Sequence, residues 1–415
     1  MSNEIKFIPE LRFPEFLKER AWKLENVDSL FDLQDGYAFP SGVFTSQTEN
    51  ARQVIRITDI NNHNKNSEKV FIPKEKIDDL GIDNYAVKKG DLLLSLTGAA
   101  GFNFYIWESD EAFINQRTLR ISPKDSKNEP LKILLSPLIH EIINGIGTGQ
   151  NNNLSKDALK AIEFPVPQNP KEQQKIASCL SSLDELIAAH NEKLETLKDH
   201  KKGLMQNLFP QEGQHVPNYR FPEFEKDGEW VEKELEKVCE VNPRVSELPD
   251  EFVYVDLESV SDGLLLKRNF IKKKGAPSRA QRLLQNKDVI YQMVRPYQKN
   301  NYYFIKSDGY EYVASTGYAQ LRAFNSSKFL FQLIHTDRFV SSILDNCTGS
   351  NYPAINSSAL KQTKVQIPPT KIEQQKIASC LSALDELITA QAEKIEQLQQ
   401  HKKGLMQGLF PKIDK

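Results

Sequence analysis

The chain carries an internal duplication that governs every other reading of it. Residues 172–210 read EQQKIASCLSSLDELIAAHNEKLETLKDHKKGLMQNLFP and residues 373–411 read EQQKIASCLSALDELITAQAEKIEQLQQHKKGLMQGLFP, identical at 30 of 39 positions. A repeat spaced by about 200 residues marks duplicated domains, not the stacked short units of a solenoid. Weaker matches frame the strong one. Residues 9–16 (PELRFPEF) and 217–224 (PNYRFPEF) open the two halves, followed by Trp22 and Trp230, and residues 148–165 and 348–368 close them ahead of the long repeats. Between these markers, 32–147 and 242–347 share little beyond short strand-like runs. One scaffold that carries two different working surfaces suits recognition of two different things with one geometry.

The long repeats read as helices. Asn169-Pro170-x-Glu172 and Thr370-x-x-Glu373 each place a capping side chain three residues before a glutamate, the pattern of a capping box. Pro170 falls at the first helical position, where a missing N–H is harmless, and Pro210 and Pro411 stop the helices. Apolar residues step by three and four at Ile176, Leu180, Leu183, Ile187, Leu194, Leu197, Leu204 and Leu208, and again at Ile377, Leu381, Leu384, Ile388, Ile395, Leu398, Leu405 and Leu409. This is a coiled-coil seam of about five heptads, which a long helix hides only against another helix. At about 1.5 Å per residue each helix is a rod of roughly 55 Å. His190, Gln391, Lys201 and Lys402 interrupt the seam, where they either set register or lie at a frayed edge. The tracts 200–203 and 401–404 (HKKG) read first as a solvated face, and second as a partner or phosphate contact.

Composition narrows the function. A chain of 415 residues, 27% charged and 39% hydrophobic, is long enough for two or more domains and has no apolar run of membrane-spanning length. Residues 1–20 lack the apolar stretch of a secretory signal, so a cytoplasmic location is expected. Cys179, Cys239, Cys347 and Cys380 are too dispersed for a metal site and read as reduced and structural. A net charge of −2 argues against coating nucleic acid by bulk electrostatics, so any such binding needs local basic surfaces or partners. Enzyme motifs are missing as well. The glycines at 145–149 lack the lysine of a phosphate loop, Pro368-Pro369 follows Ile367 instead of the Asn or Asp of an adenine methyltransferase loop, and the seven histidines form no metal motif. No catalytic or metal-binding residue is assigned.

The variable regions read as α+β or α/β domains, with strand-like runs at 54–60, 91–96, 118–121, 252–257, 289–294 and 302–305. In the second region, Lys267, Arg268, Lys272, Lys273, Lys274, Arg279, Arg282 and Lys287 follow one another with no carboxylate in the segment, a candidate phosphate-binding stripe. Arg295, Tyr297, Gln298, Lys299 and Asn300 come after a strand, and Arg, Gln and Asn are suited to bidentate reading of base edges. Asn351 and Tyr352 in the second closer join them. The first region offers Thr97 and Asn103 in a glycine-containing loop, then Asn115, Gln116 and Arg117, then Gln150, Asn151 and Asn152. Taken singly, each of these also reads as an ordinary loop residue.

Together these features resemble the specificity subunits of type I restriction-modification enzymes. The likeness rests on EQQKIA, LDELI and KKGLMQ in each long repeat and on the RFPEF openers, and it covers essentially the whole chain. It implies target-recognition domains at 1–169 (opener 8–24) and 211–369 (opener 216–230), with mixed sheets. Spacer helices at 170–210 and 370–415 would pair as an antiparallel coiled coil with pseudo-twofold symmetry. It further implies that each domain reads one half of a bipartite site in double-stranded DNA, with helix length setting the unread gap. Two modification subunits would dock to methylate adenine N6 with S-adenosylmethionine, and restriction subunits would act with ATP and magnesium. Those cofactors would belong to the partners and not to this chain, which would touch no membrane. Two other readings compete: a coiled-coil adaptor that joins proteins without touching DNA, and a self-sufficient nuclease built from dispersed carboxylates.

Overall fold

A computed structural model describes residues 7–61, 68–96, 102–135, 155–245, 247–261, 263–349 and 352–412. The chain forms two compact units, Met1–Ala189 with Ile395–Lys415, and His190–Lys394. Each unit therefore holds one variable region, the start of the long helix that follows it and the end of the other long helix.

The first unit contains β1 (Lys23–Asn26), β2 (Phe31–Asp35), β3 (Ala51–Ile55), β4 (Val70–Pro73), β5 (Ala86–Val87), β6 (Leu92–Ser95), β7 (Phe104–Ile106), β8 (Ala112–Ile114), β9 (Thr118–Pro123) and β10 (Glu163–Val166). An antiparallel sheet runs β2-β9-β6-β7, and a mixed sheet runs β4-β3-β8-β5 with β3 and β8 parallel. A ribbon of β1 and β10 stands apart. The wholly buried β6 shows how the layers meet. Leu92 and Leu94 point into a core shared with Ile176 and Leu180 of the first long helix, while Leu93 points into a core with Ile55 and Ile114 of the mixed sheet. A strand covered on both faces reads as a continuous apolar run, which is why 91–96 was legible.

The second unit contains β11 (Val231–Glu234), β12 (Cys239–Val241), β13 (Glu251–Val255), β14 (Val260–Ser261), β15 (Leu264–Leu265), β16 (Asn269–Lys272), β17 (Ala280–Leu283), β18 (Val289–Gln292), β19 (Tyr302–Tyr303), β20 (Tyr312–Ser315), β21 (Tyr318–Ala323) and β22 (Lys364–Ile367). Its sheets run β12-β21-β18-β19 and β16-β13-β20-β17, with β13 and β20 parallel and β11 paired to β22. Strand for strand this is the plan of the first unit, with a small β14–β15 hairpin added. The same alternation recurs in β18, where Val289 and Tyr291 face the helix core and Ile290 faces the mixed sheet.

One predicted strand is shorter than its apolar run. β3 ends at Ile55, and Ile57–Asn61 is helical because the Asp59 carboxylate accepts the Arg56 N–H at 2.8 Å, the backward half of a capping box. The turn still delivers Ile60 to the core of Ile55.

The long helices are Pro170–Leu208 and Lys371–Leu409, 39 residues each. In the first unit Ile176 and Leu180 share a core with Leu409 and Phe410, edged by Leu405, and Asp184 pairs with Lys402. In the second unit Leu208 packs with Ile377 and Leu381, edged by Leu204, and Lys201 lies 2.6 Å from Asp385. In both, numbers rise on one helix as they fall on the other, so the segments pair antiparallel. Leu183, Ile187, Leu194, Leu197, Leu384 and Ile388 are half-buried, and Ile395 and Leu398 are buried. The interrupting Gln391 donates to the His190 carbonyl at 2.7 Å. Lys201 and Lys402 do not follow the solvated-face reading of their tracts. The first lysine of each HKKG tract meets the aspartate of the other helix's LDELI segment, which explains why both motifs are kept in both copies.

Candidate nucleic-acid interface

The interface rests on a clamp at the root of each unit. Glu172, which the sequence offers as a capping-box residue, does not reach back to its helix end. It accepts two hydrogen bonds from Arg12, at 2.7 and 2.8 Å, and one from Trp22 Nε1 at 3.3 Å. Glu373 repeats this with Arg220, at 2.8 and 2.8 Å, and Trp230 Nε1 at 3.3 Å. In both pairs the side chains are only 6% and 1% exposed. The bidentate hydrogen bonds that each guanidinium donates to its carboxylate push both guanidinium pKa values further up. Each tryptophan meets a phenylalanine at the end of the other long helix edge-on, Trp22 with Phe410 and Trp230 with Phe209. The RFPEF opener is thus a fastener that ties each variable region to both helices. Leu11 donates its N–H to the Gly408 carbonyl and its side chain lies where a Cβ at 408 would stand, so a larger residue there must displace Leu11; in the second unit Tyr219 makes the same backbone hydrogen bond to Asn207.

The basic stripe of the second unit is partly neutralised from outside its own segment. Lys272 pairs with Glu251, Lys273 with Glu247, and Arg268 with Asp308. Arg282 is half-buried on β17, where burial lowers its pKa, and its Nε has no hydrogen-bond partner among the described residues. Lys267, Lys274, Arg279 and Lys287 remain exposed. Carboxylates from outside the segment thus stand beside three of the eight cations that the sequence places together.

The segment between β18 and β19 is more ordered than its sequence suggests. Arg295 and Lys299 adopt left-handed backbone at φ 53° and 56° on either side of the turn Pro296–Gln298. Such conformations in non-glycine residues persist only where the surroundings enforce them. Arg295 lies over the ring of Tyr352 at 4.4 Å, and Tyr297 and Tyr352 are exposed. Lys299 reaches Asp337 and the His335 carbonyl, both at 3.1 Å. The Asn300 N–H donates to the side chain of Gln292.

In the first unit Asn115 shapes the turn from β8 to β9: its Oδ1 accepts the Gln116 N–H at 2.8 Å, and its carbonyl accepts the Thr118 N–H. Gln116 and Arg117 are exposed at the tip, with Arg117 in left-handed backbone at φ 66°. Asn103 is half-buried, its N–H donating to Ser95 Oγ across the β6–β7 pair. Thr97, Gln150, Asn151, Asn152 and Asn351 lie outside the described residues.

Sequence reasoning missed the group beneath the β18–β19 loop: Gln292, Asn301 and His335. A glutamine inside an apolar strand was the available signal. His335 Nδ1 lies 2.6 Å from the Phe331 carbonyl and Nε2 lies 3.3 Å from Asn301 Nδ2. The partners assign a neutral ring with its proton on Nδ1. Burial, aided by Lys201 and Lys299, brings the pKa down to about 4. Unfolding releases a histidine of ordinary pKa, so between that value and about 4 the unfolded chain binds the extra proton. The contribution is whole above about pH 6.5 and is lost as pH falls towards 4, a change of order 3 kcal/mol. Denaturant melts at pH 7.5 and pH 5 should show about 2 kcal/mol of this loss, and His335→Gln should flatten the slope.

Among the described residues no group of three or more His, Cys, Asp or Glu side chains is arranged to hold a metal, and no helix is long and apolar enough to cross a membrane.

Residues 19–199 and 227–400 match the family described as type I restriction modification DNA specificity domain. The chain is 22% identical over 356 residues to the type I restriction enzyme MjaVIII specificity subunit of Methanocaldococcus jannaschii, covering 78% of this chain and 79% of that one. Its fold is similar to the crystal structure of a type I restriction-modification S subunit from M. genitalium, with TM-score 0.65 and 16% identity, over 98% of this chain and 100% of the other.

Proposed function

This chain belongs to the type I restriction-modification DNA specificity family, and from that premise we propose that it reads a bipartite site in double-stranded DNA, one half-site per unit. The observation that carries the reading is two units of one strand order and one clamp, with different side chains on their exposed loops. Shared architecture fixes how a unit is presented, and divergent loops decide what it reads. The target-recognition domains are 1–169 and 211–369, and the spacers are 170–210 and 370–415. The DNA-facing candidates are the exposed Gln116 and Arg117 in the first unit, and in the second the exposed Lys274, Arg279, Tyr297 and Tyr352 together with the half-buried Arg295 that lies over Tyr352.

The chain itself is the non-catalytic specificity component. Two modification subunits, carrying S-adenosylmethionine, bind its repeated segments, and restriction subunits bring ATP and magnesium. The complex works in the cytoplasm. With a net charge of −2, the chain relies on these partners for part of its grip on the phosphate backbone.

Binding measured over a salt series tests this. The chain assembled with its modification subunits should bind duplex DNA with an affinity that falls steeply as salt rises. No salt-dependent binding, alone or assembled, would favour the adaptor reading. Magnesium-dependent cutting by the purified chain alone would favour the nuclease.

A further inference from the structure

The β18–β19 loop is held from below by a buried amide. Gln292, 3% exposed, donates its N–H to Asn301 Oδ1 at 2.9 Å, accepts the Asn300 N–H on Oε1 at 3.1 Å and donates from Nε2 to Gln298 Oε1 at 2.9 Å. Asn301, 1% exposed, is anchored in turn at His335. A satisfied polar network in a core rigidifies what it holds, and this one holds a surface loop. From the other side, the Arg295 N–H donates to the Pro353 carbonyl at 2.7 Å, and Val294 bridges Ala354. The two fastenings keep Arg295 and Lys299 in their left-handed backbone.

What this scaffolding presents is one guanidinium. Arg295 Cζ lies 4.4 Å from the centre of the Tyr352 ring, and Tyr352 remains 63% exposed. Stacking on a ring engages the face of a guanidinium and not its N–H edge, the arrangement needed for a bidentate contact. The neighbouring candidates are occupied with the loop itself. Gln298 has its amide oxygen held by Gln292, which ties its side chain to the loop, and Lys299 is bound to Asp337 and the His335 carbonyl.

We propose that Arg295, stacked on Tyr352, reads a guanine in the half-site of the second unit, donating to O6 and N7 in the major groove, with Gln292 as its positioning residue. The inference rests on the reading of this chain as a DNA-specificity component. Lys299, Asn300 and Asn301 then serve the shape of the loop and carry no sequence information.

The test is to co-express the full chain with the modification subunit of its own system and map methylated adenines for wild type, Arg295→Ala, Tyr352→Ala and Gln292→Met. Wild type should show a guanine in one half-site that Arg295→Ala allows to vary, with discrimination there falling about tenfold or more. Tyr352→Ala and Gln292→Met should loosen the same position, with the other half-site and the gap unchanged. Arg295 is half-buried and belongs to none of the buried cores, so its variant keeps the test sound even if Gln292→Met folds poorly. A motif unchanged by Arg295→Ala overturns the proposal. So does an even loss of methylation at all sites in a variant that melts like wild type, since that marks a backbone contact. A wild-type chain that yields no motif of its own overturns the functional reading instead, and this inference with it.

Discussion

Replacing Glu373 by alanine is expected to destabilise the second unit by about 3–5 kcal/mol, the usual result of removing one partner of a buried ion pair. The carboxylate holds Arg220 through two hydrogen bonds and Trp230 through a third, in a site where the pair is 6% and 1% exposed. Without it a guanidinium is left inside the protein facing an indole N–H, with no acceptor of full charge. Glu172→Ala should do the same in the first unit, where Arg12 and Trp22 take the corresponding places. Urea unfolding of each variant provides the measurement. The double variant Arg220→Met with Glu373→Leu should recover most of the loss, because hydrophobic replacement of both partners of such a pair is commonly near neutral. A loss under about 1 kcal/mol in either single variant would mean that the clamp is open to water and is worth no more than a surface pair.

The second large effect concerns length. Removing four residues from the middle of each long helix, between the Asp184–Lys402 and Lys201–Asp385 pairs, shortens each rod by about 6 Å. Four residues is close to one helical turn, so the apolar seam stays nearly in phase and both ion pairs lie outside the cut. If helix length sets the gap, the preferred site should lose about two base pairs of spacing at roughly 3.4 Å each, with both half-sites unchanged. Sequencing the methylated sites reads this directly. An unaltered gap would remove the helices from that role.

The long helices were legible because seam periodicity is a strong signal, and every predicted seam residue is buried or half-buried. The likeness of the variable regions was legible only in short strand-like runs such as 91–96 and 288–293. LLLS of β6 and VIYQ of β18 share no residue, yet they take the same place in the same sheet order. A buried strand requires apolar character on its faces and leaves identity free, so the common topology disappears from the sequence. The clamp was half-visible. Arg12 and Glu172 stood out as repeated, but they are 160 residues apart, and a glutamate early in a helix reads first as a cap. The basic stripe misled for the converse reason. Its segment lacks carboxylates, but Glu247, Glu251 and Asp308 reach it from outside. The network of Gln292, Asn301 and His335 ties the two ends of one loop to a histidine 34 residues on, and Gln292 in its apolar strand is the one local sign of it.

The measurement that bears most directly on the central claim is a map of methylated adenines in cells that carry an active modification subunit, with and without this chain. Recognition of a bipartite site predicts one motif, two short half-sites separated by a gap of fixed length, that appears only when the chain is present. An active modification subunit whose methylation pattern is the same with and without the chain would contradict it.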